Sequence, residues 1–304
     1  MSTIAFIGLG IMGSPMACHL AGAGHRVIGY NRSPEKTAAL VAAGGKAADS
    51  IEQAVKDADV VATMVPDSPD VKKVLLGDNG VFAQAQPGTL VIDFSTIRPD
   101  ITVELAQVGT ERGLHVIDAP VSGGEPGAKN ATLSIMVGAS EEDFARAKPI
   151  LEVVGKTIVH VGPNGAGQTV KAANQLIVAG NIELLAEALT FVAAYGVDMQ
   201  AAVKVLGGGL AGSAVLDQKA PKMLARNLEP GFRVELHHKD MGIVTDAARQ
   251  AGVVTPLGAV VAQLMASAVA NGDGGLDHSA LLLGVERLSG RVGSVRGQQS
   301  EAKE

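Results

Sequence analysis

Thr3-Ile4-Ala5-Phe6-Ile7-Gly8-Leu9-Gly10-Ile11-Met12-Gly13 stands at the head of the chain and decides how the rest is read. Thr3 to Ile7 is a short apolar run that predicts a strand, and a helical pattern follows from Ser14 to Ala23. Between them lies G-x-G-x-x-G, in the one setting where that spacing carries meaning. The first glycine permits a tight turn. The second lets a pyrophosphate approach the backbone, and the third lets the helix pack closely on the strand. Gly8, Leu9, Gly10, Ile11, Met12 and Gly13 are therefore candidates for holding a dinucleotide.

Downstream, strand and helix signals keep alternating. Arg26 to Tyr30, Val60 to Met64, Thr89 to Asp93 and His115 to Asp118 predict strands, and Pro34 to Ala43 and Pro99 to Arg112 predict helices. Leu133 to Val137, Ser140 to Val154 and Thr157 to His160 add strand, helix and strand. Such alternation predicts an α/β fold, a doubly wound parallel sheet of Rossmann type with helices on both faces. Ligands then lie beyond the carboxyl ends of the strands. Val65, Pro66, Ser95 and Thr96 follow two of those ends and become candidates for the nicotinamide side, while Thr96 also suits a plain turn.

The second predicted strand ends in Asn31-Arg32-Ser33, where enzymes that use NAD carry an acid for the ribose 2′-hydroxyl. An acid repels a 2′-phosphate, whereas Arg32 and the Ser33 hydroxyl can bind one. The reading is NADPH preferred, with NAD as a second possibility and an exposed loop arginine as the plain alternative. Asp118-Ala119-Pro120-Val121-Ser122-Gly123-Gly124 is another strand end running into a small, flexible loop. Backbone N–H groups at its glycines and the Ser122 hydroxyl suit a carboxylate, although a turn needs the same residues.

From Thr169 to Tyr195 there is no proline, and apolar residues recur at helical spacing and also occupy the other faces. The pattern predicts one helix of about 40 Å, buried nearly all round. Lys171 lies in its first turn, with Asn174 and Gln175 on the same face. A lysine there is misplaced with respect to the helix dipole, and that dipole would lower its pKa. Two readings stand: a solvated first turn, or a lysine aimed into a cleft between two domains. Beyond Gly196 every further segment reads as helix. The predicted division is 1–164 for a dinucleotide domain, 165–291 for an all-α domain joined to it by the long helix, and 292–304 for a disordered polar tail.

Composition bounds the partners. The formal charge of -6 argues against a nucleic-acid surface, and 3% aromatic residues leave little for base stacking. One cysteine, Cys18, fits a reducing compartment. No uninterrupted apolar run reaches the ~18 residues of a membrane span. The chain enters a strand at once, without the pattern of a signal peptide. These features together predict a cytoplasmic protein with no membrane partner. His237-His238-Lys239-Asp240 is the other dense polar cluster. Adjacent histidines point to different sides of a helix, so no metal site is expected.

Four signatures in order carry a family resemblance: Gly8 to Gly13; Asp118 to Gly124; Gly165-Ala166-Gly167 with Lys171, Asn174 and Gln175; and Lys239-Asp240. Over residues 2 to 290 the chain resembles the β-hydroxyacid dehydrogenases, the group of 3-hydroxyisobutyrate dehydrogenase and its relatives. The resemblance implies that Lys171 is the catalytic acid/base and that Ser122, Gly123 and Gly124 hold the substrate carboxylate. It puts Thr96 and Lys239 near the nicotinamide, and Phe232, Asp240, Asn174 and Gln175 about the substrate. It also implies a homodimer or homotetramer. Gln175 departs from the usual Asn-Asn pair. With Gly208 to Ser213 and Asp217 to Pro221, it resembles the subgroup that reduces tartronate semialdehyde to D-glycerate. Other semialdehyde reductases, oxidation of 3-hydroxyisobutyrate, and a cofactor-binding module without turnover are the alternatives.

Overall fold

The computed structural model describes residues 1–297. The chain divides into two compact units, Met1–Ala172 and Ala173–Glu304, so the boundary falls a few residues inside the long helix rather than before it.

The first unit is built on a nine-stranded sheet: β1 Thr3–Ile7, β2 Arg26–Tyr30, β3 Lys46–Ala47, β4 Val60–Thr63, β5 Leu90–Asp93, β6 His115–Asp118, β7 Val121–Ser122, β8 Leu133–Gly138 and β9 Gly155–Gly162. The order is β3-β2-β1-β4-β5-β6-β8-β7, with β9 also paired to β8. From β3 to β6 every pairing is parallel. The expected all-parallel sheet needs one correction, because β8 runs antiparallel to β6 and β7. β6 and β7 run in the same direction with β8 between them, and the chain reverses after β7, across residues 123–132.

Strand residues alternate between two cores, one on each sheet face. Ile4, Phe6, Val60, Ala62, Leu90 and Ile92 pack on one side. Ala5, Ile7, Val61 and Val91 pack on the other. Both sets are buried, which is why these strands read as continuous apolar runs. Helices Gly13–Gly22, Ser68–Leu76, Pro99–Glu111 and Glu141–Val154 are the principal helices of this unit. The second of these, and the short Gly124–Lys129, were not expected from sequence. Asp67 caps the former through the Ser68 N–H.

The long helix spans Ala166–Ala194, 29 residues. It is not buried all round: Ile177, Leu184 and Phe191 are 62%, 58% and 64% exposed, and Tyr195, just past its end, is 75% exposed. By length and mean hydropathy it would also suffice to span a membrane. The sequence criterion differed because Lys171, Asn174, Gln175, Asn181, Glu183 and Glu187 interrupt the apolar run; Lys171, Gln175 and Glu183 are buried.

The second unit continues with helices Met199–Gly207, Ala214–Ala225, Val234–Ala251, Pro256–Ala270 and Leu281–Leu288. Asp277, fully buried, organises one end. It caps the turn His278–Ala280 and accepts from Lys219, from the N–H groups of Gly231 and Phe232, and from Ser279. The polar tail expected from residue 292 is in part packed. Val295 is buried, and Gly293 N–H and Val295 N–H donate to Glu286. Residues 298–304 of that expected tail lie outside the described residues.

Candidate functional site

The glycine loop has the shape a dinucleotide requires. Gly8 has φ +99°, and a Cβ there would meet the Met64 carbonyl oxygen at 2.2 Å. A Cβ on Gly13 would lie 2.0 Å from the Gly8 oxygen, so the third glycine sets the helix against the loop. A Cβ on Gly10 would meet nothing within 4 Å. That open face over bare backbone is what the second glycine offers a pyrophosphate. The three glycines therefore fit a dinucleotide, with separate roles. Leu9 is buried in the core and Ile11 is exposed.

Asn31 has a structural task that the sequence did not reveal. Its Oδ1 accepts from Leu9 N–H at 2.9 Å and its Nδ2 donates to Ser33 O at 3.0 Å. It thereby locks the glycine loop to the Asn31–Ser33 turn. Arg32 is exposed and Ser33 partly exposed beside it.

Beyond β4 and β5, a polar network fixes the next loops. Thr63 Oγ1 and Ser95 N–H both donate to Asp93 Oδ1, at 2.8 and 3.0 Å, and Val65 N–H donates to Ser95 Oγ at 3.0 Å. Val65, Pro66 and Thr96 thus stand at adjacent strand ends, with Pro66 exposed and the other two half-buried. Gln168 closes this network. Its Oε1 accepts from Ile97 N–H at 3.1 Å and its Nε2 donates to Ser95 O at 2.7 Å.

Lys171 is buried, only 6% exposed, and its Nζ donates to Val121 O at 2.7 Å. Ser122 follows directly in β7. Gly123 and Gly124 have φ +129° and +60°, backbone that L side chains rarely adopt. Lys171 and the Ser122–Gly124 loop are therefore neighbours within the first unit. Asp118 supplies the anchor: its carboxylate accepts from Gly165 N–H at 2.8 Å and Gln168 N–H at 2.9 Å, at the start of the long helix. Burial pushes its pKa up to about 6 against the pull of those N–H groups. Gly138 and Gly167 leave space for that carboxylate, since a Cβ on either would come within 2.4 or 2.7 Å of it.

In the second unit the candidate residues form a chain. Asn174 Nδ2 donates to Gln175 Oε1 at 2.8 Å, and Gln175 Nε2 donates to Asp240 Oδ2 at 2.5 Å. Lys239 Nζ lies 2.8 Å from Asp240 Oδ1. Phe232 sits edge-on to His237 and His278, with ring centres 5.6 and 5.4 Å away. His237 Nε2 is 3.2 Å from the Gln175 carbonyl, which makes that nitrogen the donor. Its Nδ1 lies 3.0 Å from His278 Nδ1. Burial drives the His278 pKa well down, helped by His237 and Lys219. Sequence reading weighed the adjacent His237 and His238 as metal ligands; the packing instead pairs His237 with His278. Among the described residues no group of three His, Cys, Asp or Glu could hold a metal ion.

Gln168 and the histidine pair were missed. Gln168 had one signal, its position three residues before Lys171 on the same helix face. The bonded partner of His278, His237, is 41 residues away in sequence and leaves no local trace.

Known proteins resemble the chain over most of its length. Residues 3–162 match the NAD binding domain of 6-phosphogluconate dehydrogenase, and residues 165–284 match the NAD-binding domain of NADP-dependent 3-hydroxyisobutyrate dehydrogenase. The chain is 42% identical to 2-hydroxy-3-oxopropionate reductase of Escherichia coli K12, over 94% of this chain and 98% of that protein. It is 38% identical to 3-hydroxyisobutyrate dehydrogenase of Pseudomonas aeruginosa, over 92% and 97%. The structure of Mycobacterium tuberculosis 3-hydroxyisobutyrate dehydrogenase with L-serine superposes with a TM-score of 0.85 at 37% identity, covering 93% and 98% of the two chains. With its dinucleotide loop, buried lysine and helical second unit, this chain belongs to the 3-hydroxyisobutyrate dehydrogenase-like family of β-hydroxyacid dehydrogenases, NAD(P)-dependent oxidoreductases acting on a CH–OH group.

Proposed function

We propose that the protein reduces tartronate semialdehyde to D-glycerate with NADPH. The observation that carries the reading is the buried Lys171 ammonium, bonded to the carbonyl one residue before Ser122. When bound, the nicotinamide supplies the hydride that reaches the aldehyde carbon. Lys171 Nζ gives its proton to the carbonyl oxygen as negative charge gathers there, and takes one back in the reverse direction. Ser122 and the N–H groups of Gly123 and Gly124 hold the substrate carboxylate. Asn174, Gln175, Phe232 and Asp240 bind the remainder of the substrate. Thr96, Val65, Pro66 and Lys239 serve the cofactor, with Arg32 and Ser33 on its 2′-phosphate. The 42% identity to the Escherichia coli reductase supports this substrate over 3-hydroxyisobutyrate.

The protein works in the cytoplasm as a homodimer or homotetramer, without nucleic-acid or membrane partners. Self-association is favoured by Ile177, Leu184 and Phe191, exposed at seven-residue intervals on the long helix, with Tyr195 one turn on. That spacing makes a single apolar seam of the kind a second helix covers. The substrate reading is tested by comparing kcat/KM for tartronate semialdehyde, succinic semialdehyde and a simple aliphatic aldehyde. A substrate without the carboxylate leaves the loop donors unpaired, so its turnover should fall by about 10⁴-fold. Equal turnover of the plain aldehyde would sink the reading.

A further inference from the structure

Gln168 is 1% exposed and belongs to no part of the chemistry described so far. Its side-chain amide grips the backbone on both sides of Thr96, donating to Ser95 O at 2.7 Å and accepting from Ile97 N–H at 3.1 Å. Thr96 cannot shift without breaking one of these bonds. At its other end the same residue is fixed to the sheet, because its N–H donates to Asp118 Oδ2 at 2.9 Å. Gly167 beside it is equally confined: a Cβ there would meet Met136 O at 2.4 Å. Lys171 lies three residues further on the same helix face. Its Nζ returns to the strand end through Val121 O at 2.7 Å. Gln168, Asp118, Val121 and Lys171 therefore form a closed circuit within the first unit, and the backbone on either side of Thr96 is tied to it through Gln168.

We propose that Gln168 is a positioning residue that sets the distance between the Thr96 loop and the Lys171 ammonium. The inference rests on the reading of Lys171 as the proton donor. The amide is needed as such, because one atom must donate and the other accept. An ionised carboxylate offers only acceptors and faces the Ser95 carbonyl unfavourably. Alanine leaves both buried backbone groups without the amide. Asparagine is one methylene short.

This chemistry provides a pH-dependent test on the full chain. In Gln168→Glu, a protonated carboxyl reproduces both bonds, with O–H to Ser95 O and C=O from Ile97 N–H. Asp118 and Asp93 on the neighbouring strand ends hold its proton to higher pH, and Lys171 one turn on opposes them. Single-turnover hydride transfer from NADPH to tartronate semialdehyde, taken as a ratio to wild type well below the melting temperature, should stay within about threefold at low pH. As the introduced carboxyl ionises, the ratio should fall by about ten- to a hundredfold, the usual cost of misplacing a reacting group. Gln168→Ala should show that loss at every pH. In both variants NADPH affinity should fall less than hydride transfer does, because the glycine loop is untouched and only the Thr96 loop is released. Amide exchange at Ile97 should quicken in Gln168→Ala without NADPH present. A pH-independent ratio near one for Gln168→Glu, with normal transfer by Gln168→Ala, overturns the proposal and leaves Gln168 as a core residue. Normal transfer by Lys171→Ala instead overturns the acid/base reading and this proposal with it. Loss in Lys171→Ala with normal Gln168 variants defeats the positioning role alone.

Discussion

Lys171 Nζ donates a 2.7 Å hydrogen bond to the carbonyl oxygen of Val121, 50 residues earlier in the chain. The bond fixes the ammonium beside the residue that opens the Ser122–Gly124 loop. A solvated first-turn lysine, the plain reading of the sequence, would have no reason to be 6% exposed. Burying an ammonium is costly unless it is hydrogen-bonded, and the contact with Val121 meets that need.

Removing that ammonium should disable catalysis and spare the fold. Lys171→Ala is expected to lower kcat by ~10²–10⁴-fold, the range for a positioned acid/base group. NADPH affinity should hardly change, since the glycine loop lies elsewhere in the first unit. Lys171→Arg should not restore activity, because guanidinium hardly releases a proton. Single-turnover hydride transfer, NADPH titration and melting temperature on both variants check this together.

Cofactor choice should turn on Arg32. A charge-assisted bond to the 2′-phosphate contributes ~1.5–3 kcal/mol, about one to two decades in specificity. Wild type should favour NADPH over NADH in kcat/KM by about that factor, and Arg32→Asp should reverse the order. Asn31→Ala should behave differently. Asn31 bonds the chain itself at Leu9 and Ser33, so its loss should weaken both cofactors alike. A wild-type preference for NADH would remove the phosphate role of Arg32.

Glu183 gives a prediction about stability. It is buried, Oε2 has no hydrogen-bond partner among the described residues, and burial pushes its pKa from 4.5 up to about 7, with Glu187 adding repulsion. Below about pH 4.5 the folded and unfolded chains both hold the proton, and there is no penalty. Between that pH and about 7 only the folded chain holds it, so stability falls as pH rises. The shift corresponds to about 3 kcal/mol above pH 7. Glu183→Gln should therefore raise the melting temperature at pH 8 and change it little at pH 4.5. An equal effect at both pH values would mean that the carboxylate is not the cause.

The exposed seam on the long helix should govern assembly. Leu184→Glu and Phe191→Glu each place a charge in the middle of an apolar row. Both should shift the protein toward monomer in sedimentation or light scattering at micromolar concentration, with secondary structure unchanged. A wild-type protein that is monomeric throughout that range would leave the seam without the proposed partner.

Local physics made much of this protein legible in the linear sequence. Strand and helix periods are properties of neighbouring residues, so β1, β2 and β6 have the bounds that sequence predicted. The glycine loop was readable for the same reason: its turn and its helix contact come from residues within six positions of each other. Lys171, Asn174 and Gln175 were readable as one helix face, and the family signatures gave them roles. What only the tertiary structure decided depends on residues far apart in the chain. The antiparallel β8, the inward use of Asn31, the grip of Gln168 on a loop 71 and 73 residues away, and the pairing of His237 with His278 have no periodic signature. The exposed row on the long helix belongs with them. Apolar residues on every face predict burial on every face, but which face the protein's own elements cover depends on packing that the helix sequence does not encode.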